Sequence, residues 1–252
     1  MISQFISAFL ILRALLTGKE KYCLRLSEIR FDKRKAAGIL QIGIPSAFQY
    51  SLFAFANLFV QSSVNSFDHV LVEGNSAAAN ADPLVYDMMA AFYTACSSFI
   101  AQNFGAQKKK RILQTYLICL FYSFITSLVL GVGLYLARYP FLYLFTSDKA
   151  VVEAGITRLS IMALSYSASA FMDASIAASR GLGKTAVPTF VVVMGSCVFR
   201  IIWIYTIFAY FHTIQSLYIL YVFSWGITAI AENIYFFHVY RHTLTGKTES
   251  HL

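Results

Sequence analysis

Long stretches without charged residues constrain this chain more than any other feature of its sequence. Because about 20 apolar residues cross a bilayer as a helix, a stretch of that length predicts a membrane span. Three stretches of 20 to 32 residues carry no charge and two others carry one each: 36–67, 88–107, 112–137, 159–179 and 185–231. The last holds 47 residues, too many for one span, and it divides at the polar segment 212–216. We therefore predict six spans, the sixth running from Leu217 to Tyr240.

The overall composition excludes the other common classes of protein. Hydrophobic residues make up 58% of the 252 residues and charged residues 13%, whereas a soluble domain has about 25% charged residues. A disordered chain has far fewer apolar residues than this one. The expected fold class is all-α, a polytopic membrane bundle of six spans. A short apolar helix, Met1–Thr17, precedes the bundle and is expected to be the end of a preceding transmembrane helix.

Basic residues are distributed unevenly between the two sides of the predicted bundle. If the six spans alternate, fifteen Lys and Arg residues fall on one side and three, Arg138, Lys149 and Arg158, on the other. Basic loops of membrane proteins stay in the cytoplasm, so the basic side is predicted to be cytoplasmic. The net charge of +8 is then a topology signal, and we expect membrane lipid and no nucleic acid as a partner. The expected organisation is a basic cytoplasmic linker (18–35), a lobe in the plasma membrane (36–240) and a cytoplasmic tail (241–252).

The first span carries four amide side chains, Gln49, Asn57, Gln61 and Asn65. Residues four apart lie on nearly the same face of a helix, so the last three form a stripe. Polar groups inside a membrane mark either a pathway or a contact between helices. We favour the wall of a wet cavity and keep interhelical hydrogen bonding as the alternative. Pro45, one turn before Gln49, is expected to kink the helix.

Asp173 is the most informative charged residue, because it lies in the fourth span seven residues before Arg180. A carboxylate at this depth can exchange H⁺ or Na⁺, so Asp173 is the candidate coupling group. Tyr166 and Ser169 share its helix face and are expected to line the substrate cavity. The alternative is a structural Asp that bonds a neighbouring helix. Arg200 and Glu232, at similar depths in the last two spans, are expected to form a structural ion pair.

Three motifs resemble those of the multidrug and toxic compound extrusion (MATE) transporters, in the second of their two six-helix lobes. The sequence Gly43-Ile44-Pro45 with the four amides resembles the first helix of that lobe. The segment around Gln102 and Asn103 resembles the family's GQN-x-GA signature, with Ala101 in place of Gly. The RGLGKT…P motif of the family is matched by Arg180, Gly181, Gly183, Thr185 and Pro188, with Arg200-Ile201-Ile202-Trp203 following it.

The resemblance implies efflux of drugs and small organic cations, driven by inward H⁺ or Na⁺. Alternatives are a lipid-linked saccharide flippase of the same superfamily and a membrane interaction protein without transport activity. An enzyme is not expected, and no cofactor is expected beyond the coupling ion. None of the four cysteines belongs to a CxxC pair, so no metal site is predicted: Cys23, Cys96, Cys119 and Cys197.

The resemblance also implies that the chain supplies only one of two lobes. Alternating access in this architecture needs two bundles that move about a shared site. We therefore expect either a missing N-terminal lobe upstream of a truncated chain, which is the favoured hypothesis, or a second copy that pairs through the polar face.

Overall fold

A computed structural model describes residues 2–17, Leu24 and 30–245, and these residues form helices without any strand. The chain divides into two compact units, Met1–Gln41 and Ile42–Leu252. The first unit contains α1 (Ile2–Thr17) and the beginning of α2 (Lys33–Val64). Most of the predicted linker lies outside the described residues, as does the tail beyond Thr245.

In the described residues of the second unit, the rest of α2 is followed by nine further α-helices. Asp68 and Asp148 cap two of them, since their carboxylates accept hydrogen bonds from the backbone N–H groups of Leu71 and Ala150. The bounds are α3 (His69–Ala79), α4 (Ala81–Gly105), α5 (Lys109–Leu136), α6 (Arg138–Tyr143), α7 (Lys149–Gly181), α8 (Ala186–Val192), α9 (Phe199–Trp203), α10 (Ala209–Phe211) and α11 (Ile214–Thr245).

Six helical segments of the described chain are long and apolar enough to cross a membrane, which confirms the predicted all-α bundle. They are Lys33–Val64, His69–Gly105, Lys109–Leu136, Lys149–Gly181, Ala186–Phe211 and Ile214–His242. The protein is therefore a multi-pass membrane protein. Helix α7 is the central one, because it packs against α3, α4, α5 and α11.

The second span is longer than the sequence pattern predicts. It begins at His69 rather than Met88 and consists of α3 and α4, separated by Asn80. Counting uncharged residues missed its first half because Glu73, Asp82 and Asp87 lie there. Likewise, Arg158, which the sequence placed in a loop, is buried within α7. Charged residues within a span, whether exposed like Glu73 and Asp87 or paired like Asp82 and Arg158, defeat a rule based on uncharged length.

The fifth span is not a regular α-helix. Two π-helical segments, Val193–Val198 and Ile204–Phe208, interrupt it and enclose α9, which carries Arg200. π-Helical turns are rare and occur frequently at functional sites. Arg200 therefore lies in an irregular segment of the kind that is frequent at functional sites.

We expect Gly131→Ala to destabilise the fold where α5 crosses α7. A Cβ atom at Gly131 would overlap the carbonyl oxygen of Ala163, so the two backbones would have to separate. Such overpacking costs about 1–3 kcal/mol. Thermal unfolding of the detergent-solubilised protein measures the loss. Gly133→Ala on the same helix is the matched control, because nothing lies within 4 Å of its Cβ position. Equal unfolding temperatures for the two variants would contradict this packing.

Labelling of single cysteines tests the topology. Lys109 begins α5, while Lys149 begins α7 after one further crossing, and both side chains are exposed. We expect a membrane-impermeant maleimide to reach Lys149→Cys in intact cells and Lys109→Cys only after permeabilisation. Cys23 is replaced in the background, since Cys96, Cys119 and Cys197 are buried. Labelling of both positions from one side would refute the arrangement.

Candidate functional site

A cavity of about 550 Å³ opens within the second unit, and its lining residues come from α2 and from the second, fourth, fifth and sixth spans. Aromatic side chains form much of its wall, including Tyr86, Tyr93, Tyr221 and Trp225. Six charged side chains also line it: Asp82, Asp87, Asp173, Arg158, Arg180 and Arg200. Charged and aromatic groups facing a common space within a membrane are typical of a substrate pathway.

The amide stripe of α2 faces this cavity and bonds its opposite wall. The Gln49 Oε1 atom accepts a hydrogen bond from Arg180 Nη2 at 2.9 Å, and Asn57 Oδ1 accepts one from Arg200 Nη1 at 2.7 Å. Farther along α2, Asn75 Nδ2 donates to Gln61 Oε1 at 3.5 Å. The cavity and hydrogen-bond interpretations of the stripe therefore apply together. Asn65 does not line the cavity, and its side chain accepts a hydrogen bond from Gln61 instead.

Arg200 is the largest fully buried side chain of the described residues. Its guanidinium carbon lies 4.6 Å from the ring centre of Phe53 and 4.5 Å from that of Tyr221. Arg200 Nε also donates to the Ser224 hydroxyl at 3.4 Å. Arg200 Nη2 has no hydrogen-bond partner within the described chain. The guanidinium thus lies over two aromatic rings and has one nitrogen without a hydrogen-bond partner among the described residues.

Arg200 and Glu232, expected to form an ion pair, are not brought together among the described residues. Arg200 bonds Asn57 and Ser224 instead, while both Glu232 carboxylate oxygens are buried without a hydrogen-bond partner among the described residues. The charged groups that act electrostatically on Glu232 are Arg180 and Asp173. Similar depth brings two side chains to one level but does not turn them toward each other, and the Arg200 side chain turns toward α2.

Asp173 lies on the cavity wall and is partly exposed to it. Its carboxylate makes no hydrogen bond or ion pair with the described residues, and Arg180 is the charged side chain that acts on it electrostatically. The structural alternative, in which Asp173 bonds a neighbouring helix, finds no such bond here. A carboxylate in this position is free to bind a small cation.

Asp82 forms the hydrogen-bonded network that sequence analysis missed. Arg158 Nη2 contacts Asp82 Oδ2 at 2.7 Å, and the Tyr166 hydroxyl donates a short hydrogen bond to Asp82 Oδ1. This network ties α4 to α7. Its only signal in the sequence is a pair of opposite charges near the starts of two apolar stretches, 88–107 and 159–179.

Tyr166 and Ser169, expected in the cavity, do not line it. Both are fully buried, and the Ser169 hydroxyl donates to the Tyr166 carbonyl. The two side chains point in a somewhat different direction from Asp173 around the helix, so they lie in the interior of the bundle. Tyr166 instead packs against a residue of the cavity wall, since its ring contacts that of Tyr86 edge-on.

The residues quoted for the family motifs have local structural roles. Gly183, in the turn after α7, has φ +75°, a conformation that favours glycine. Gly181 packs closely against Ile100 of α4. The Asn103 side chain donates to the Phe99 carbonyl and that of Gln102 to Ser98 within α4, and Pro45 lies inside α2 before Gln49.

Comparisons with solved structures show how far the fold is shared. A MOP superfamily transporter from Pyrococcus furiosus, described as having a binding pocket of reverse polarity, superimposes with a TM-score of 0.87 over 98% of this chain and 56% of its own, at 18% identity. A variant of the Vibrio cholerae MATE transporter gives 0.78 over 97% and 55%, at 17% identity. The chain therefore has the fold of one MATE lobe and spans about half the length of these transporters.

Sequence comparison reaches the same family. A curated protein of Shewanella oneidensis, named "FAD transporter", is 25% identical over 134 residues, which are 53% of this chain and 29% of that protein. The sequence profile of the MatE family matches residues 45–206, well over half of the chain and most of the cavity wall. Members of this family are transporters rather than enzymes. The chain belongs to the MatE family of multidrug and toxic compound extrusion transporters.

Proposed function

We propose that this lobe belongs to a cation-coupled efflux antiporter that exports small organic molecules, among them drugs and organic cations. The observation that carries the proposal is the unpaired carboxylate of Asp173 on the wall of a membrane cavity. A coupling ion must bind and leave during each cycle, so its site cannot be permanently occupied by a protein cation.

The cavity supplies both parts of such a cycle. Asp173 binds H⁺ or Na⁺, and the aromatic wall around Tyr86, Tyr93 and Trp225 offers ring faces to lipophilic cations. Arg180, held by Gln49, lies near enough to Asp173 to act on its charge. Occupation of Asp173 by a cation changes the charge that a substrate encounters, and this change couples the two binding events.

We further propose that a second lobe completes the pathway. The α2 side chains Asn57 and Gln61 line the cavity yet remain exposed, so the polar wall is open on one side. Polar groups facing lipid are costly, at several kcal/mol for each unsatisfied group. The partner surface is either a preceding lobe of a longer protein or a second copy of this chain.

Efflux of ethidium from cells tests the proposal. We expect cells that express the protein with its second lobe to retain less ethidium than cells without it. If H⁺ is the coupling ion, collapse of the proton gradient with a protonophore should abolish this difference in retained ethidium. If Na⁺ is the coupling ion, collapse of the sodium gradient with monensin should abolish it. Efflux that neither treatment reduces would refute cation coupling.

A specific observation keeps the lipid-linked saccharide flippase as a second candidate. The sequence placed only three charged residues deep in the spans, Asp173, Arg200 and Glu232. The structure brings six charged side chains to the cavity wall. Reconstituted vesicles that carry a fluorescent polyprenyl-linked saccharide distinguish the candidates. Gradient-independent movement of that lipid across the bilayer, without ethidium transport, would favour the flippase.

A further inference from the structure

Arg200 lacks the counterion that a buried cation in a membrane normally has. Among the described residues, its side-chain hydrogen-bond partners are the Asn57 amide and the Ser224 hydroxyl, both neutral. The groups that act on it electrostatically are Tyr221, Tyr86 and Cys197, and none is a carboxylate. Burial of a charge is costly unless the charge is paired and hydrogen-bonded. Arg158, by contrast, has Asp82 at 2.7 Å.

The surroundings of Arg200 resemble a binding site prepared for an anion next to an aromatic ring. The guanidinium carbon lies over the rings of Phe53 and Tyr221, and Arg200 Nη2 remains without a hydrogen-bond partner in the described chain. A guanidinium is well suited to carboxylate and phosphate oxygens, which accept two of its N–H groups together. The rings of Tyr221, Tyr86 and Trp225, all on the cavity wall, surround the same region.

We propose that Arg200, with Phe53 and Tyr221, forms a subsite for the acidic group of an aromatic substrate, a carboxylate or phosphate carried on a planar ring system. The inference rests on the proposed function, since it assumes that the cavity holds the transported molecule. It extends the substrate range from organic cations, which the aromatic wall accommodates, to aromatic acids. The anion enters from the cavity and supplies the missing charge, while the ring stacks on the aromatic wall.

A matched pair of ligands isolates the acidic group. Flavin mononucleotide and riboflavin share one ring system and differ by a phosphate, and both report stacking through fluorescence quenching. In nanodiscs of phosphatidylcholine, without any ion gradient, we expect the protein to bind flavin mononucleotide at least tenfold more tightly than riboflavin. Equal dissociation constants would overturn the proposal.

Variants assign the preference to Arg200. In Arg200→Gln, the dissociation constant of flavin mononucleotide should rise to that of riboflavin, while riboflavin binding stays unchanged and reports on folding. Arg200→Lys keeps the charge but loses the planar stacking, and should show a preference reduced at least threefold; it serves if the Gln variant does not fold. Arg138→Gln is the matched control, because Arg138 is also flanked by two rings, Tyr135 and Tyr139, but lies outside the cavity. A preference that survives in both Arg200 variants would overturn the assignment.

A lipid headgroup is the other source of an anion at this site. Nanodiscs with phosphatidylglycerol test it: a retained tenfold preference supports a soluble aromatic acid, whereas its loss shows that anionic lipid occupies Arg200 and overturns the proposal. Because these measurements need no gradient, they can fail while gradient-driven efflux persists. Conversely, tight flavin mononucleotide binding without gradient-driven efflux would contradict the proposed function alone.

Discussion

Asp173→Asn is expected to abolish gradient-driven efflux, with a loss of at least a hundredfold, while leaving the protein folded. The amide is nearly the same size as the carboxylate but cannot bind and release H⁺ or Na⁺. Since the Asp173 carboxylate makes no hydrogen bond or ion pair with the described residues, its replacement removes no stabilising contact. Ethidium efflux from energised vesicles, with size-exclusion chromatography of the same preparation, measures both effects.

A second acid on the same helix provides the control for Asp173. Glu153 lies on α7 but is exposed, and its carboxylate accepts a hydrogen bond from the Tyr139 hydroxyl. Glu153→Gln removes an equal charge outside the cavity and should leave efflux within twofold of the parent. Aggregation or unfolding of Asp173→Asn would instead support a structural role, and normal efflux would remove Asp173 from the coupling mechanism.

Asp82→Ala should be among the most destabilising substitutions in the bundle. It leaves the Arg158 guanidinium buried without its carboxylate, and it removes the acceptor of the Tyr166 hydroxyl. Removal of one partner of a buried ion pair costs about 3–5 kcal/mol, mostly because the remaining charge is uncompensated. The unfolding temperature in detergent, followed by size-exclusion chromatography after heating, should fall sharply.

A double variant separates the lost charge balance from lost packing. Asp82→Asn combined with Arg158→Met removes both charges at similar volume, so it should recover most of the stability that Asp82→Ala loses. Glu73→Gln is the external comparison, because its pair with His69 at 3.2 Å is exposed and pairs of that kind contribute about 0–1 kcal/mol. A double variant as unstable as Asp82→Ala would show that the ion pair is not what the fold depends on.

The six spans could be predicted because the bilayer demands length and apolarity, which the sequence records directly. The same rule failed at the second span and at Arg158, because the first halves of both spans carry charged residues. Arg158 is buried within its span with Asp82 as its partner, and Asp82 is 76 residues away along the chain. Local sequence cannot reveal a partner at that distance.

The candidate site was likewise predicted in part from the sequence. A spacing of four predicted one polar face on α2, and the structure turns Gln49, Asn57 and Gln61 of that face to the cavity. Around Asp173, periodicity gave neighbours on the helix but not their surroundings, so Tyr166 and Ser169 proved to be interior residues. The Asn57–Arg200 bond and the isolation of Glu232 depend on side-chain direction across helices, which periodicity does not specify.

The bonds between α2 and the arginines place the helix and the substrate in competition. Gln49 and Asn57 accept hydrogen bonds from guanidinium groups that line the cavity, and a bound anion would offer oxygens to the same nitrogens. Each such bond contributes about 1.5–3 kcal/mol at most, and water or ligand can replace it. Ligand that displaces Asn57 would loosen the attachment of α2, and by thermodynamic reciprocity a loosened α2 would bind that ligand more tightly. Because ligand oxygens can replace the Asn57 oxygen as hydrogen-bond acceptors, α2 can move away from the arginines without leaving their N–H groups unbonded.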